Sequence, residues 1–348
     1  MSEDKPRPKR RRLRNLIVLL VIVALVFGGS LFALLSLFGG GVEVKPGSIL
    51  EVRLSGGLSE GPKDDLLSEL SGDSRTSLWD LRRGLRAAAE DRNISGIRLT
   101  VEPLATGWGA AEEILAEFDR FRSSGKPVHT LFPADMVEDL DYFVGTGGDP
   151  LWITPDAFTL VNGLAAEVSF WRGSLEKLGI EPEVIMFKEY KSAGEPFANR
   201  EMSPHMREAL TAVLEDIDLR FKGRVSERRA GVTPESLAAF LARGMASARE
   251  FKDAGLVDRL GYVDEVNEAL REVSGAKEYE GITLSKYLRS LKKGPRGASE
   301  TIAVVFGEGP ILSLGEGEFF GMGQMIVGPE LAGHIRKAAE DKKVKAII

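Results

Sequence analysis

The sequence has 348 residues, with 46 Lys+Arg against 52 Asp+Glu, 43% apolar residues and no cysteine. That length predicts about two domains, and the apolar fraction excludes a disordered chain. Without cysteine there is no disulfide scaffold, thiolate zinc site, thiol nucleophile or lipoprotein anchor. Residues 1–14 carry seven basic residues against Glu3 and Asp4, so the net −6 leaves about −11 on the rest, an unpromising charge for nucleic-acid binding.

From Leu16 to Phe38 no residue is charged, and those 23 residues as a helix would span about 35 Å, enough for a bilayer's hydrocarbon core. The basic block before them predicts a cytoplasmic N-terminus and a body on the far side. A cleaved signal peptide is the competing reading, but its apolar region would be about 7–15 residues long. Residues 1–41 are therefore expected to be a cytoplasmic tail plus membrane anchor, with the lipid bilayer the partner of residues 16–38.

After Gly39-Gly40-Gly41, Ile49, Val52 and Leu54 predict a strand. Leu78, Leu81, Leu85 and Ala88 follow at helical spacing behind Ser77 as N-cap. Ile94–Val101 predicts a strand, and Ala111, Ile114, Leu115, Phe118 and Phe121 mark the next helix, ended by Gly125. Further strands are expected at Val128–Phe132, Leu151–Thr154 and Glu183–Phe187, with a helical stretch near Arg172–Leu178. Ser203 and Pro204 open a long helix to about Arg229, whose predicted apolar stripe is Leu210, Val213, Leu214, Ile217, Phe221 and Val225. This alternation predicts an α/β domain with a largely parallel sheet.

Ala88-Ala89-Glu90-Asp91 recurs as Ala338-Ala339-Glu340-Asp341, 250 positions on. Ile94 then matches Val344, Ile97 matches Ile347, and the strand at Ile49–Leu54 has a counterpart in Ile302–Phe306. This order predicts an internal duplication: a first repeat over 46–285, a linker over 286–299, and the start of a second repeat over 300–348. The second copy reaches Ile348 inside its expected second strand, which reads as a truncated repeat.

Little in the sequence suggests a cofactor or a metal. His129, His205 and His334 lack metal-ligand spacing, and no P-loop or dinucleotide fingerprint follows a predicted strand. Gly145–Pro150 reads as a turn cluster, while Glu112-Glu113 and Asp64-Asp65 read as solvated charge. Phe187–Phe197 stands apart, lying between a predicted strand and the long helix, where α/β folds place functional loops. On residues alone Lys188 and Lys191 read chiefly as loop charge. A lysine acts as general base only when burial lowers its pKa from about 10.4 toward about 7–8.

Tyr190-Lys191-Ser192-Ala193-Gly194-Glu195-Pro196-Phe197, followed by Met202-Ser203-Pro204, closely resembles the lysine motif of the signal peptide peptidase SppA (protease IV) family. Ala248–Asp258, ending in Gly255-Leu256-Val257-Asp258, is similar to a second segment of that family, and the anchor and duplication fit its long two-repeat form. The resemblance implies a ClpP/crotonase-like fold and a membrane-anchored serine endopeptidase that degrades cleaved signal peptides with a Ser–Lys dyad. Lys191 would be the catalytic general base. The nucleophile serine would follow the strand that begins at Val344, and the first-repeat equivalent, Glu102–Gly107, holds no serine. Ser192 is expected to point away from its neighbour Lys191 in an extended segment. The resemblance further implies a homo-oligomer in the inner membrane, acting on peptide substrates without cofactor, metal or nucleic acid. A non-catalytic membrane-tethered scaffold of the same fold is the alternative. An acyl-CoA enzyme on that fold is a second one, disfavoured by the anchor and the lysine motif.

Overall fold

The computed structural model describes residues 29, 43–62, 76–291, 300–312 and 325–348. Except for Gly29, the span expected over Leu16–Phe38 lies outside them, as do Asp64 and Asp65. Among the described residues no helix is long and apolar enough to cross a membrane.

β1 (Ser48–Gly56) is followed by α1 (Leu78–Glu90), whose first turn is capped by the Ser77 hydroxyl accepting from the Asp80 amide. β2 (Ile94–Leu104) pairs in parallel with β1, Leu50 beside Ile97 and Val52 beside Leu99. α2 (Trp108–Arg122) packs on α1 and buries Ala111, Ile114, Leu115, Phe118 and Phe121, the face expected from their spacing. β3 (Val128–Phe132) lies beside β2, buried along its whole length as a central parallel strand should be.

The chain then makes β4 (Met136–Glu138), α3 (Asp139–Gly145), β5 (Leu151–Ile153) and β6 (Phe158–Leu160). An arm follows, with α4 (Arg172–Lys177), a 3-10 turn at Ser192–Gly194, α5 (Glu195–Ala198) and α6 (Pro204–Arg228). α7 (Pro234–Leu241), β7 (Ala246–Ser247), α8 (Ala248–Asp253), β8 (Arg259–Leu260), α9 (Val263–Ser274), β9 (Gly281–Thr283) and α10 (Leu284–Ser290) complete this part.

Six strands form one sheet in the order β8-β5-β3-β2-β1-β9, every pair parallel, so the fold is α/β as expected. Val266 and Leu270 of α9 cover one face, against Ile49, Leu131 and Trp152. A small second sheet, β4-β6-β7, stands beside it. The last elements are β10 (Thr301–Ala303), β11 (Ile311–Leu312), β12 (Ile326–Val327), α11 (Gly328–Glu340) and β13 (Val344–Ile347), with β10 parallel to β13.

Three expectations need correction. Glu183–Phe187 is not a strand; it is irregular and has no sheet partner among the described residues, and Ile185 and Phe187 are each 79% exposed. Its apolar run is arm surface, not core. The stripe on α6 is buried only toward its C-terminal end, at Phe221 and Val225, while Val213 is exposed. The linker cannot begin at Lys286, because α10 continues to Ser290 and fully buries Tyr287, whose hydroxyl donates to Asp91 at 3.1 Å.

Candidate active site

The lysine motif folds as a compact turn at the tip of the arm. Lys188 is the one non-glycine residue with positive φ, at 67°, among the described residues. A side chain in that left-handed region is unusual and strained. Lys191 donates its backbone amide to the Lys188 carbonyl at 3.3 Å and is the N-terminal cap of the 3-10 turn. The segment is therefore coiled and not extended, which corrects the expectation that strand alternation turns Ser192 away from Lys191. The Lys191 side chain is exposed and forms no hydrogen bond or ion pair among the described residues.

The small residues of the motif have a packing role. A Cβ on Gly194 would stand 2.3 Å from a Val184 methyl, so only glycine lets the turn lie against that segment. Glu195 is 3% exposed in an otherwise open arm. Its carboxylate accepts from the Ser203 hydroxyl at 2.7 Å and the Ser203 amide at 3.0 Å. The Ser203 hydroxyl also accepts from the Met206 amide at 3.1 Å and so caps α6. The Ser203 hydroxyl bond above all holds the Glu195 carboxyl below its ordinary range. Pro196 accepts from the Trp171 amide at 2.7 Å and Ala198 from Arg172 at 2.8 Å, which ties the turn to α4. Beside it the Tyr190 hydroxyl donates to Glu208 at 3.0 Å, with the His205 ring 5.2 Å from the tyrosine ring.

The second motif is a latch at the root of the arm. Arg229 grips Asp258 with two bonds of 2.9 and 2.7 Å and donates to the Gly255 carbonyl at 2.9 Å. Asp258 also accepts from the Leu151 amide at 2.7 Å. Burial pushes the Asp258 carboxyl up, but these donors and the arginine charge outweigh it and leave it lowered. Gly255 has φ +73°, which explains a glycine there. The buried Tyr142 hydroxyl donates to the Leu256 carbonyl at 2.8 Å, closing the segment onto α3.

The remaining candidates are structural. Gly145 and Gly148 pack where a Cβ would meet Phe132 at 2.0 Å and Thr130 at 2.2 Å. His205 and His334 are exposed. His129 is buried on β3, where burial first and then Arg259 lower its pKa from 6.5 to about 4. Glu112 pairs with Arg220 at 3.1 Å on the surface. No group of acidic or histidine residues among the described residues could hold a metal ion. Glu102–Gly107 ends β2 and precedes α2; Asp141 pins its Leu104 amide at 2.8 Å. A cleft of about 650 Å³ opens over β1 and β2, lined by Glu51, Arg53, Arg98 and Glu102 among others. Glu51 pairs with Arg98 and Arg53 with Glu102, and Lys191 is not in its walls.

The profile of peptidase family S49 matches residues 120–277, a stretch holding both the Lys191 turn and the Asp258 latch. The chain is 31% identical over 311 residues to the chloroplastic serine protease SPPA of Arabidopsis thaliana, covering 88% of this chain and 44% of that one. It is 31% identical over 299 residues to Protease 4 of Salmonella typhi, covering 83% and 46%. With Protease 4 of Haemophilus influenzae it shares 26% identity over 362 residues, covering 97% and 57%. Residues 120–277 carry the domain of peptidase family S49. These three relatives are SppA or protease 4 peptidases, as the lysine motif implied, and the chain spans about half the length of each.

Proposed function

We propose that this chain supplies the general-base lysine, Lys191, of a membrane-anchored serine endopeptidase with a ClpP/crotonase-like fold that degrades cleaved signal peptides. The observation that carries the reading is the turn itself: a strained, glycine-packed loop, braced on two sides, that presents Lys191 without a side-chain partner among the described residues. A surface lysine of no function needs no such support. In this reading the nucleophile serine follows the strand that begins at Val344, as the resemblance implies; among the described residues no hydroxyl bonds to the Lys191 ammonium.

In the assembled site a neutral Lys191 amine takes the serine hydroxyl proton as the oxygen attacks a peptide carbonyl carbon. The resulting ammonium gives that proton to the departing amine, leaving an acyl-serine. Water then attacks the acyl group with Lys191 again as base, which frees the acid product and regenerates the hydroxyl. This role needs a buried amine, so the exposed Lys191 must be covered on assembly. The exposed apolar side chains around it, Trp171, Ile185, Phe187 and Phe197, suit a homo-oligomeric contact or an apolar peptide. The basic block and apolar run before residue 41 support an inner-membrane location with the body outside the cytoplasm.

In the full natural protein, Lys191→Ala is expected to lower peptide hydrolysis by several orders of magnitude, whereas Lys188→Ala changes it only a few-fold. Residues 1–348 alone are expected to show no specific labelling by a fluorophosphonate serine probe. Comparable losses in both lysine variants, or a labelled serine within 1–348, would overturn the assignment. Deleting residues 1–40 should release a soluble body; a body that stays on membranes through carbonate washing would rule out a single anchor.

A further inference from the structure

We propose that Glu195 is a positioning residue for Lys191, its buried carboxylate bracing the turn from which the lysine is presented; this rests on the reading of Lys191 as the general base. Three observations converge on it. First, Glu195 is the one residue that belongs to both the turn and its brace. Its backbone amide closes the 3-10 turn by donating to the Ser192 carbonyl, and its side chain accepts both donors of Ser203. Second, Glu195 is buried while its neighbours from Lys191 to Ser203 are exposed or half-buried, and burying a charge is costly unless hydrogen bonds compensate. A cap for α6 does not require it, because the Ser203 hydroxyl already caps the helix. Third, the Lys188 backbone sits in the left-handed region three residues before Lys191. Such strain persists only where the surroundings fix the chain, and on the C-terminal side of the turn the Glu195–Ser203 pair shares that fixing with the bonds to the Pro196 and Ala198 carbonyls. Without the pair the turn is held less firmly, can relax at Lys188, and the lysine moves from its place relative to the serine.

The test is kinetic and uses the full natural protein, with Glu195→Ala, Glu195→Gln, Ser203→Ala and Lys191→Ala compared on one peptide across pH. A displacement of the base by about an ångström can lower the rate about 100-fold. Glu195→Ala is therefore expected to lose about 100-fold in kcat, with KM within about threefold, and to shift the acid limb of the pH–rate profile. Glu195→Gln keeps the size and one oxygen for Ser203, so it should recover to within about tenfold of wild type, and Ser203→Ala should fall between them. Rates are normalised to the folded fraction, read from the thermal melt, so a fold defect cannot imitate the result. If normalised Glu195→Ala keeps the wild-type kcat and pH profile while Lys191→Ala is dead, Glu195 has no positioning role and the lysine assignment stands. If Lys191→Ala is itself active, the reading of Lys191 fails and takes this proposal with it. In the Lys191→Ala background, Glu195→Ala should cause no further loss; a further loss would mean that Glu195 acts on something other than the lysine.

Discussion

In the first strand–helix–strand unit, β1–α1–β2, the side chains of Leu81, Leu85 and Ala88 are almost wholly buried. In β10–α11–β13, the residues 250 positions later are Leu331, Ile335 and Ala338, and Ile335 is 43% exposed. The backbones nonetheless agree at several points. Both helices have 13 residues and end on an aspartate, Asp91 or Asp341, with φ/ψ of −76°/117° and −75°/113°. Both aspartates accept from the amide two residues on at 2.9 Å. Ser48 lies opposite Ile94 and Thr301 opposite Val344, and each strand pair then slips by one residue at the next position. Local sequence therefore suffices to specify the unit, bulge included. What differs is the cover. α2 packs on α1, and Gly84 lets Leu284 of α10 approach where a Cβ would be 2.2 Å away; α11 has no such cover among the described residues. Similar backbones in different surroundings separate what local bonds contribute from what burial contributes.

The sharpest way to break that comparison is to cut the same side chain from both helices. Leu85→Ala should cost about 2–5 kcal/mol of global stability, the usual cost of emptying a packed site. Ile335→Ala should cost less than about 1 kcal/mol, since the side chain is already partly in water. Urea unfolding with amide exchange checks both. Equal losses would mean that α11 is covered as well as α1.

A smaller effect follows from the buried histidine of the first unit's sheet. The His129 imidazole stays neutral in the fold down to about pH 4, while in the unfolded chain it takes up its proton near 6.5. Its contribution is therefore complete above pH 6.5 and is lost as the pH falls toward 4. The full swing is about 3 kcal/mol at most, since each tenfold weakening of proton binding is worth about 1.4 kcal/mol. His129→Gln should flatten the acid limb of stability against pH, with the exposed His334→Gln as control. A limb unchanged in His129→Gln would mean that other groups govern it.

Much of this contrast is legible in the sequence, because helical spacing, the Ser77 and Ser203 caps and the repeated tetrapeptide are local signals. The strand misread at Glu183–Phe187 shows where local signals stop. Val184, Ile185 and Phe187 have the composition of a strand, but a strand is defined by a neighbour, and composition does not reveal its absence. The α6 stripe fails in the same way, since spacing shows which residues could be buried and not whether anything lies over them. The lysine motif marks the loop but not its coiled shape, and the Ser203-Pro204 signal gives the helix start. The bracing role of Glu195 carries no such signal, because its partner lies eight residues away, across a turn whose shape no periodicity predicts.

The finest comparison is between the two aspartates that end the helices. Each makes one bond to the amide two residues on, a local turn contact worth about 1 kcal/mol. Asp91 has a second side-chain bond with no counterpart at Asp341 among the described residues, accepting from the Tyr287 hydroxyl at 3.1 Å, and Tyr287 is fully buried. Removing Asp91 thus strands a buried hydroxyl as well as opening the turn, and an unsatisfied buried donor costs about 1–3 kcal/mol more. Asp91→Ala should therefore lower global stability by about 2–4 kcal/mol, and adding Tyr287→Phe should restore part of it by removing the stranded group. Asp341→Ala should leave the global unfolding midpoint unchanged and only speed exchange at the Lys343 and Val344 amides about fivefold, the equivalent of about 1 kcal/mol. Global shifts of equal size in the two variants would show that β10–α11–β13 unfolds together with the main sheet. A local exchange effect alone would show that the unit is held by its own bonds.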